Sequence, residues 1–110
     1  MKIQRITYLS LGSNQGEKLK NLQNAIYEIA DSVGAIRKIS SVYKTSSWGY
    51  QGEDFYNICI EVSTYLQPEN LLEKTLTIEN KLGRERTNSK EYSDRIIDID
   101  ILLFDDEIIF

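Results

Sequence analysis

An α+β fold, with one antiparallel sheet and helices packed on it, follows from three observations. Short segments rich in β-forming residues, the clearest of them alternating at a period of two, occur four times along the chain. Two other segments carry apolar residues at three- and four-residue spacing. These segments follow one another as strand, helix, strand, strand, helix, strand. At 110 residues the chain can bury one core and not two, so residues 1–110 are predicted to form a single domain.

The first strand is residues 5–11, Arg-Ile-Thr-Tyr-Leu-Ser-Leu, with Ile6 out of phase with Leu9 and Leu11. Gly12-Ser-Asn-Gln-Gly16 then reads as a tight turn whose glycines allow positive φ and whose Ser13 or Asn14 caps a helix. It is neither a Walker loop nor a dinucleotide fingerprint, although the amides opening the helix could hold an anion. Leu19, Leu22, Ile26, Ile29 and Val33 make residues 17–33 an amphipathic helix that Gly34 closes. Ala35 to Tyr43 is the second strand. Residues 44–54, with Trp48 and Tyr50, are long for a connection.

The third strand, Phe55 to Thr64, places Ile58, Ile60 and Val62 on one face and Asn57, Cys59 and Glu61 on the other. Pro68 opens a second helix with Leu71, Leu72, Thr75, Ile78 and Leu82 as its inner stripe and Gly83 as its stop. Residues 83–95 form a second long loop, where Arg84, Arg86, Lys90 and Arg95 face Glu85, Glu91 and Asp94. Arg95 to Phe104 is the last full strand, and Asp105-Asp-Glu107 turns into the short apolar end Ile108-Ile-Phe110. The order is that of the split βαβ, or ferredoxin-like, βαββαβ arrangement, with its last hairpin cut short.

Composition narrows the chemistry. Thirteen Lys and Arg against 17 Asp and Glu give a net charge of −4, which argues against a nucleic-acid or anionic-membrane partner. The N-terminus has no signal pattern and no run is long enough to span a bilayer, so the expected compartment is the cytoplasm. Histidine is absent, which excludes Ser-His-Asp and Cys-His catalysis and disfavours zinc. Any metal would be hard and oxygen-ligated, as Mg²⁺ is. The single Cys59 reads as a core thiol rather than a nucleophile.

The sharpest chemical signal is Asp98-Ile-Asp100 inside the last strand. Alternation puts both carboxylates on one face, about 6.6 Å apart along the strand. Ile97, Ile99, Ile101 and Leu103 then point to the core, and the acids share their face with Ile96, Leu102 and Phe104. Two readings compete: a solvated face paired with Arg95 and Arg84, or a platform for metal ions of the kind that serve phosphoryl transfer. Glu79 alone reads as a surface residue set against the dipole of its helix. Trp48, Tyr50 and Phe55 read equally as core or as a clamp for a flat ring, with Asn57 beside Phe55 able to meet a heterocycle edge.

Taken together, Leu11-Gly-Ser-Asn-Gln-Gly16, Ser40-Ser-Val-Tyr-Lys-Thr45, Phe55-Tyr-Asn57, Glu79 with Gly83-Arg-Glu-Arg86, and Arg95-Ile-Ile-Asp-Ile-Asp100 resemble the 6-hydroxymethyl-7,8-dihydropterin pyrophosphokinases of folate biosynthesis. The resemblance implies transfer of pyrophosphate from ATP to the pterin hydroxymethyl group with release of AMP. It implies that Asp98 and Asp100 hold two Mg²⁺ ions, and that Arg84, Arg86 and Arg95 act with them on ATP or the developing charge. Thr45, Ser46, Trp48, Phe55 and Asn57 would bind the pterin, while Leu72, Glu79, Arg84, Arg95 and Ile101 would bind ATP. Tyr92-Ser-Asp94 stands where many relatives have Trp-Gly-Pro. Family members continue beyond the position of Phe110, so the chain is expected to lack their C-terminal segment and to turn over poorly. The competing expectation is a ferredoxin-like ligand-binding module without catalysis.

Overall fold

The computed structural model describes residues 3–46, 53–83, 96–105 and 107–108. Its elements are β1 (Arg5–Ser13), α1 (Lys18–Ser32), β2 (Gly34–Ile39), β3 (Tyr43–Thr45), β4 (Phe55–Thr64), α2 (Pro68–Leu82), β5 (Asp98–Phe104) and β6 (Glu107–Ile108). All pairs are antiparallel in the order β2-β4-β1-β5-β6, with β3 also pairing with β4. The βαββαβ arrangement read from the sequence is therefore the one formed. Among the described residues no helix is long and apolar enough to cross a membrane.

Alternation in β1 sets the core. Thr7, Leu9 and Leu11 are fully buried. They pair with Val62, Ile60 and Ile58 on one side and with Phe104, Ile101 and Ile99 on the other. Leu22, Ala25 and Ile29 of α1 and Leu71, Thr75 and Ile78 of α2 are buried with them, so both helices lie on this face. Each fully buried Leu or Ile contributes about 1.5–3 kcal/mol relative to exposure. The opposite face carries no helix among the described residues and is left open for Ser10, Gly12, Asn57, Cys59, Asp98 and Asp100.

Several expectations are corrected. The second strand is two strands, β2 and β3, which pair with opposite ends of β4. Gly34 does not close α1 with a left-handed cap. It is the first residue of β2, where a Cβ would stand 2.0 Å from the Ser63 carbonyl oxygen, so close strand approach is what requires glycine. Gly12 and Ser13 belong to β1, Gly16 but not Gly12 has positive φ (72°), and α1 has no side-chain N-cap bond. The turn is braced from within the helix instead: Asn21 Nδ2 donates to Gln15 O (2.8 Å) and Ser13 Oγ (3.1 Å). Leu19 and Leu72, assigned to inner stripes, are 57% and 52% exposed.

Strand β5 begins at Asp98 rather than Arg95 and contains a bulge. Tyr8 pairs with Leu103 but Leu9 with Ile101, which leaves Leu102 as the extra residue. Beyond it the faces exchange. Phe104, expected beside the acids, is buried in the core, and Leu103 moves to the open face. The hairpin into β6 is present, but Glu107, read as part of the turn, already pairs with Phe104, and Asp105 lies in the left-handed region (φ 57°) and accepts a 2.6 Å ion pair from Arg5.

Candidate functional site

Register brings the predicted residues together. Gly12 of β1 pairs with Asn57 on β4 and with Asp98 on β5, and Asn57 pairs with Tyr43 on β3. Directly paired residues project to the same face, so Tyr43, Asn57, Gly12 and Asp98 form one row across four strands. Asn57 and Asp98 are two strand spacings apart, about 10 Å. A second row holds Cys59, Ser10 and Asp100. Both acids thus lie on the open face, with Asp98 half-buried and Asp100 exposed.

The glycine in the first row has a specific consequence. A Cβ at Gly12 would stand 3.0 Å from Asn57 Oδ1 and 3.3 Å from Phe55 Cδ1. Phe55 and Asn57 therefore lean over the bare backbone of β1, and any side chain there would push them back by a few tenths of an ångström. Asn57 Nδ2 donates to Thr45 Oγ1 (2.9 Å) and more weakly to Tyr43 O (3.3 Å), which ties β3 to β4 and leaves Oδ1 over Gly12. Thr45 pairs with Phe55, and Ser46 follows it as an exposed residue. The predicted ring-binding residues 45, 46, 55 and 57 are thus in one place; Trp48 lies outside the described residues.

At the other end of the row, α2 covers the edge of β5. Glu79 Oε2 accepts a 2.7 Å hydrogen bond from the Ile99 N–H, in the position a neighbouring strand would occupy. Contrary to its surface reading, Glu79 is half-buried. Burial pushes its carboxyl up to about 7; the Asp98 and Asp100 charges and a hydrogen bond with the Asp98 carboxyl push the same way, while the Ile99 N–H opposes them. Three carboxyl groups thus crowd one end of the sheet, an arrangement that a bound cation relieves.

Mg²⁺ fits this donor set by its chemistry. The donors are all oxygen, two of them adjacent on one face, and Mg²⁺ is normally held by one or two carboxylates with substrate phosphates and waters completing the shell. Among the described residues no group of three acidic or sulfur side chains is close enough to hold an ion unaided. Leu72 lies two helical turns before Glu79 on α2, and Ile101 packs partly against the core on the helix-facing side of β5. Arg84, Arg86 and Arg95 lie outside the described residues.

The sequence reading missed three contributors to the open face. Tyr43 hydrogen-bonds the Cys59 thiol (3.5 Å) and Ser10, and the bond to Cys59, with burial, raises its phenol above the ordinary range. Cys59 is accordingly half-buried on the open face rather than in the core. The period of two that buries Leu9 and Leu11 already implied Ser10 and Gly12 on the opposite face.

Residues 8–109 match the sequence model of the family described as 7,8-dihydro-6-hydroxymethylpterin-pyrophosphokinase. A Porphyromonas gingivalis protein named 2-amino-4-hydroxy-6-hydroxymethyldihydropteridine pyrophosphokinase is 40% identical over 100 residues, covering 89% of this chain and 68% of its own. A Bacillus subtilis protein of the same name is 39% identical over 104 residues, covering 93% of this chain and 61% of its own. The chain therefore spans about two thirds or less of the curated relatives it matches. The crystal structure of wild-type Plasmodium falciparum HPPK-DHPS superposes with a TM-score of 0.77 over 96% of this chain and 30% of that one. Its 18% identity makes this a likeness of fold.

Proposed function

Because the chain belongs to the 7,8-dihydro-6-hydroxymethylpterin-pyrophosphokinase family, we propose that it transfers the terminal pyrophosphate of ATP to the hydroxymethyl group of a reduced pterin, releasing AMP, as a step of folate biosynthesis. The observation that carries this reading is the row Asn57, Gly12, Asp98. It supports the reading by bringing Asn57 and Asp98 onto one open sheet face about 10 Å apart, far enough for a ring at one end and phosphates at the other.

At the ring end, Phe55 offers a stacking surface. Asn57 has its amide nitrogen committed to Thr45, so Oδ1 accepts from the heterocycle's N–H edge. Thr45, Ser46 and Trp48 complete that edge. At the phosphate end, Asp98 and Asp100 are the carboxylates that would hold Mg²⁺, taken as two ions, which when bound with the triphosphate supply neutralisation of its charge. Glu79 braces this end through Ile99 and Asp98. Leu72, Glu79 and Ile101 border the nucleotide on the side where α2 meets β5, and Arg84, Arg86 and Arg95 engage its phosphates.

The hydroxymethyl oxygen attacks the β-phosphorus of ATP. The bond from that phosphorus to the α–β bridging oxygen breaks, AMP departs with the electron pair, and the hydroxyl proton passes to solvent. The transition state is loose, so holding the two substrates in line matters more than a strong base, and residues 1–110 need supply no histidine.

The test is to incubate the chain with ATP, Mg²⁺ and 6-hydroxymethyl-7,8-dihydropterin and to identify the nucleotide product. Pterin-dependent AMP is the expected result. Formation of ADP, or AMP at a rate indifferent to pterin, contradicts the proposal.

A further inference from the structure

Helix α1 has no side-chain bond at its N-cap, yet the segment leading into it contains a fully buried asparagine. Asn14 Nδ2 donates 3.1 Å to the Glu53 carbonyl, 39 residues along the chain. Four residues later, Lys18 Nζ donates 3.0 Å to the Asp54 carbonyl and pairs at 3.0 Å with the Glu53 carboxylate. The same ammonium lies 5.0 Å from the centre of the Tyr56 ring. Its three donor directions therefore have three neighbours, and only 15% of the side chain is exposed, so it acts as a clamp rather than as a receptor for a free anion.

The two carbonyls so held, of Glu53 and Asp54, immediately precede Phe55, whose ring leans over Gly12. The Glu53–Phe55 backbone is thus held from the helix side by Asn14 and Lys18, while Phe55 and Asn57 meet the missing Cβ of Gly12 on the open side. Asn21 braces the turn itself through Ser13 and Gln15. From this we infer that Asn14 and Lys18 are positioning residues for the pterin subsite: they fix the start of β4 and with it the height of the Phe55 ring above the sheet. The inference rests on the ring-binding role proposed for Phe55 and Asn57. It assigns to the Gly-Ser-Asn turn a task in substrate recognition rather than in starting a helix.

The test uses Lys18→Met, which keeps the aliphatic stem and removes the ammonium, with Lys18→Arg as the conservative control. Asn14→Ala is informative only where it folds. Two readouts are taken: the Phe55 ring and Asn57 side-chain amide NMR signals of the ligand-free chain, and equilibrium affinities for 6-hydroxymethyl-7,8-dihydropterin and for Mg²⁺ with a non-hydrolysable ATP analogue. Lys18→Met is expected to move the ligand-free signals and weaken pterin binding about tenfold, the scale of one lost charge-assisted bond. Nucleotide affinity should stay within about twofold, and Lys18→Arg should restore pterin binding. Unmoved Phe55 and Asn57 signals overturn the inference whatever ligand the site takes. Moved signals with unchanged pterin affinity overturn it, as does a parallel loss of nucleotide affinity. Failure of the unsubstituted chain to bind pterin instead overturns the proposed function, and the ligand-free signals then decide the positioning question alone.

Discussion

Replacing Glu79 by Gln isolates the cost of burying a carboxylate at this end of the sheet, a cost to which the Asp98 and Asp100 charges add. The amide keeps an oxygen to accept the 2.7 Å bond from the Ile99 N–H and removes only the charge. Glu79 is raised from 4.5 to about 7 in the folded chain. The folded state therefore holds the proton more tightly than the unfolded state. Below pH 4.5 both states are protonated and the group costs nothing; between 4.5 and 7 the unfolded state ionises first and stability falls; above 7 the full cost is present. Undiscounted, this interval corresponds to about 3 kcal/mol at 1.36 kcal/mol for each pH unit. Glu79 is only half-buried, so solvent screening reduces the figure to about 1–2 kcal/mol. Urea unfolding in the presence of a chelator should accordingly find Glu79→Gln equal to the parent chain near pH 4 and more stable by about 1–2 kcal/mol near pH 8.5. The same stability difference at both pH values would refute the electrostatic account of this end of the sheet.

Three further outcomes follow from particular contacts. Gly34→Ala drives a Cβ to 2.0 Å from the Ser63 carbonyl and should cost about 3 kcal/mol in denaturant unfolding, because backbone rather than a flexible side chain must move. Gly12→Ala meets Asn57 and Phe55 at 3.0 and 3.3 Å, a smaller conflict. It should raise the pterin KM about tenfold with the KM for ATP little changed, which steady-state kinetics with each substrate varied in turn will show. Leu9→Ala, at the fully buried centre of β1, should lower stability by about 2–5 kcal/mol in the same unfolding assay.

Much of this architecture is legible in local pattern. Ile58, Ile60 and Val62 alternate cleanly and are buried as read, and Pro68 and Gly83 bound α2. The aspartates fall on the open face because the bulge lies beyond them, after Ile101. What the pattern misreads depends on long-range partners. The exchange of Leu103 and Phe104 arises from pairing with Tyr8 and Thr7, nearly 100 residues earlier, and no local period encodes a bulge. Gly34 looks like a helix stop until Ser63 is placed beside it. Glu79 looks like a surface acid until the Ile99 N–H at the β5 edge claims it. The same holds for Asn14, a typical capping residue by type, whose partner lies 39 residues away. Strand alternation alone put Asp98 with Asp100 and Phe55 with Asn57; that the two pairs share the open face comes from the register of β4, β1 and β5.

The measurement that tests the central claim most directly compares pterin-dependent AMP formation by the chain with that of Asp98→Asn and Asp100→Asn, alongside pterin affinity. If these carboxylates are the phosphate end of the row and Asn57 the ring end, each substitution should lower the rate by at least about a hundredfold while pterin affinity stays within a few-fold. An unchanged rate of AMP formation in both variants would contradict that claim and remove the open face as the site of transfer.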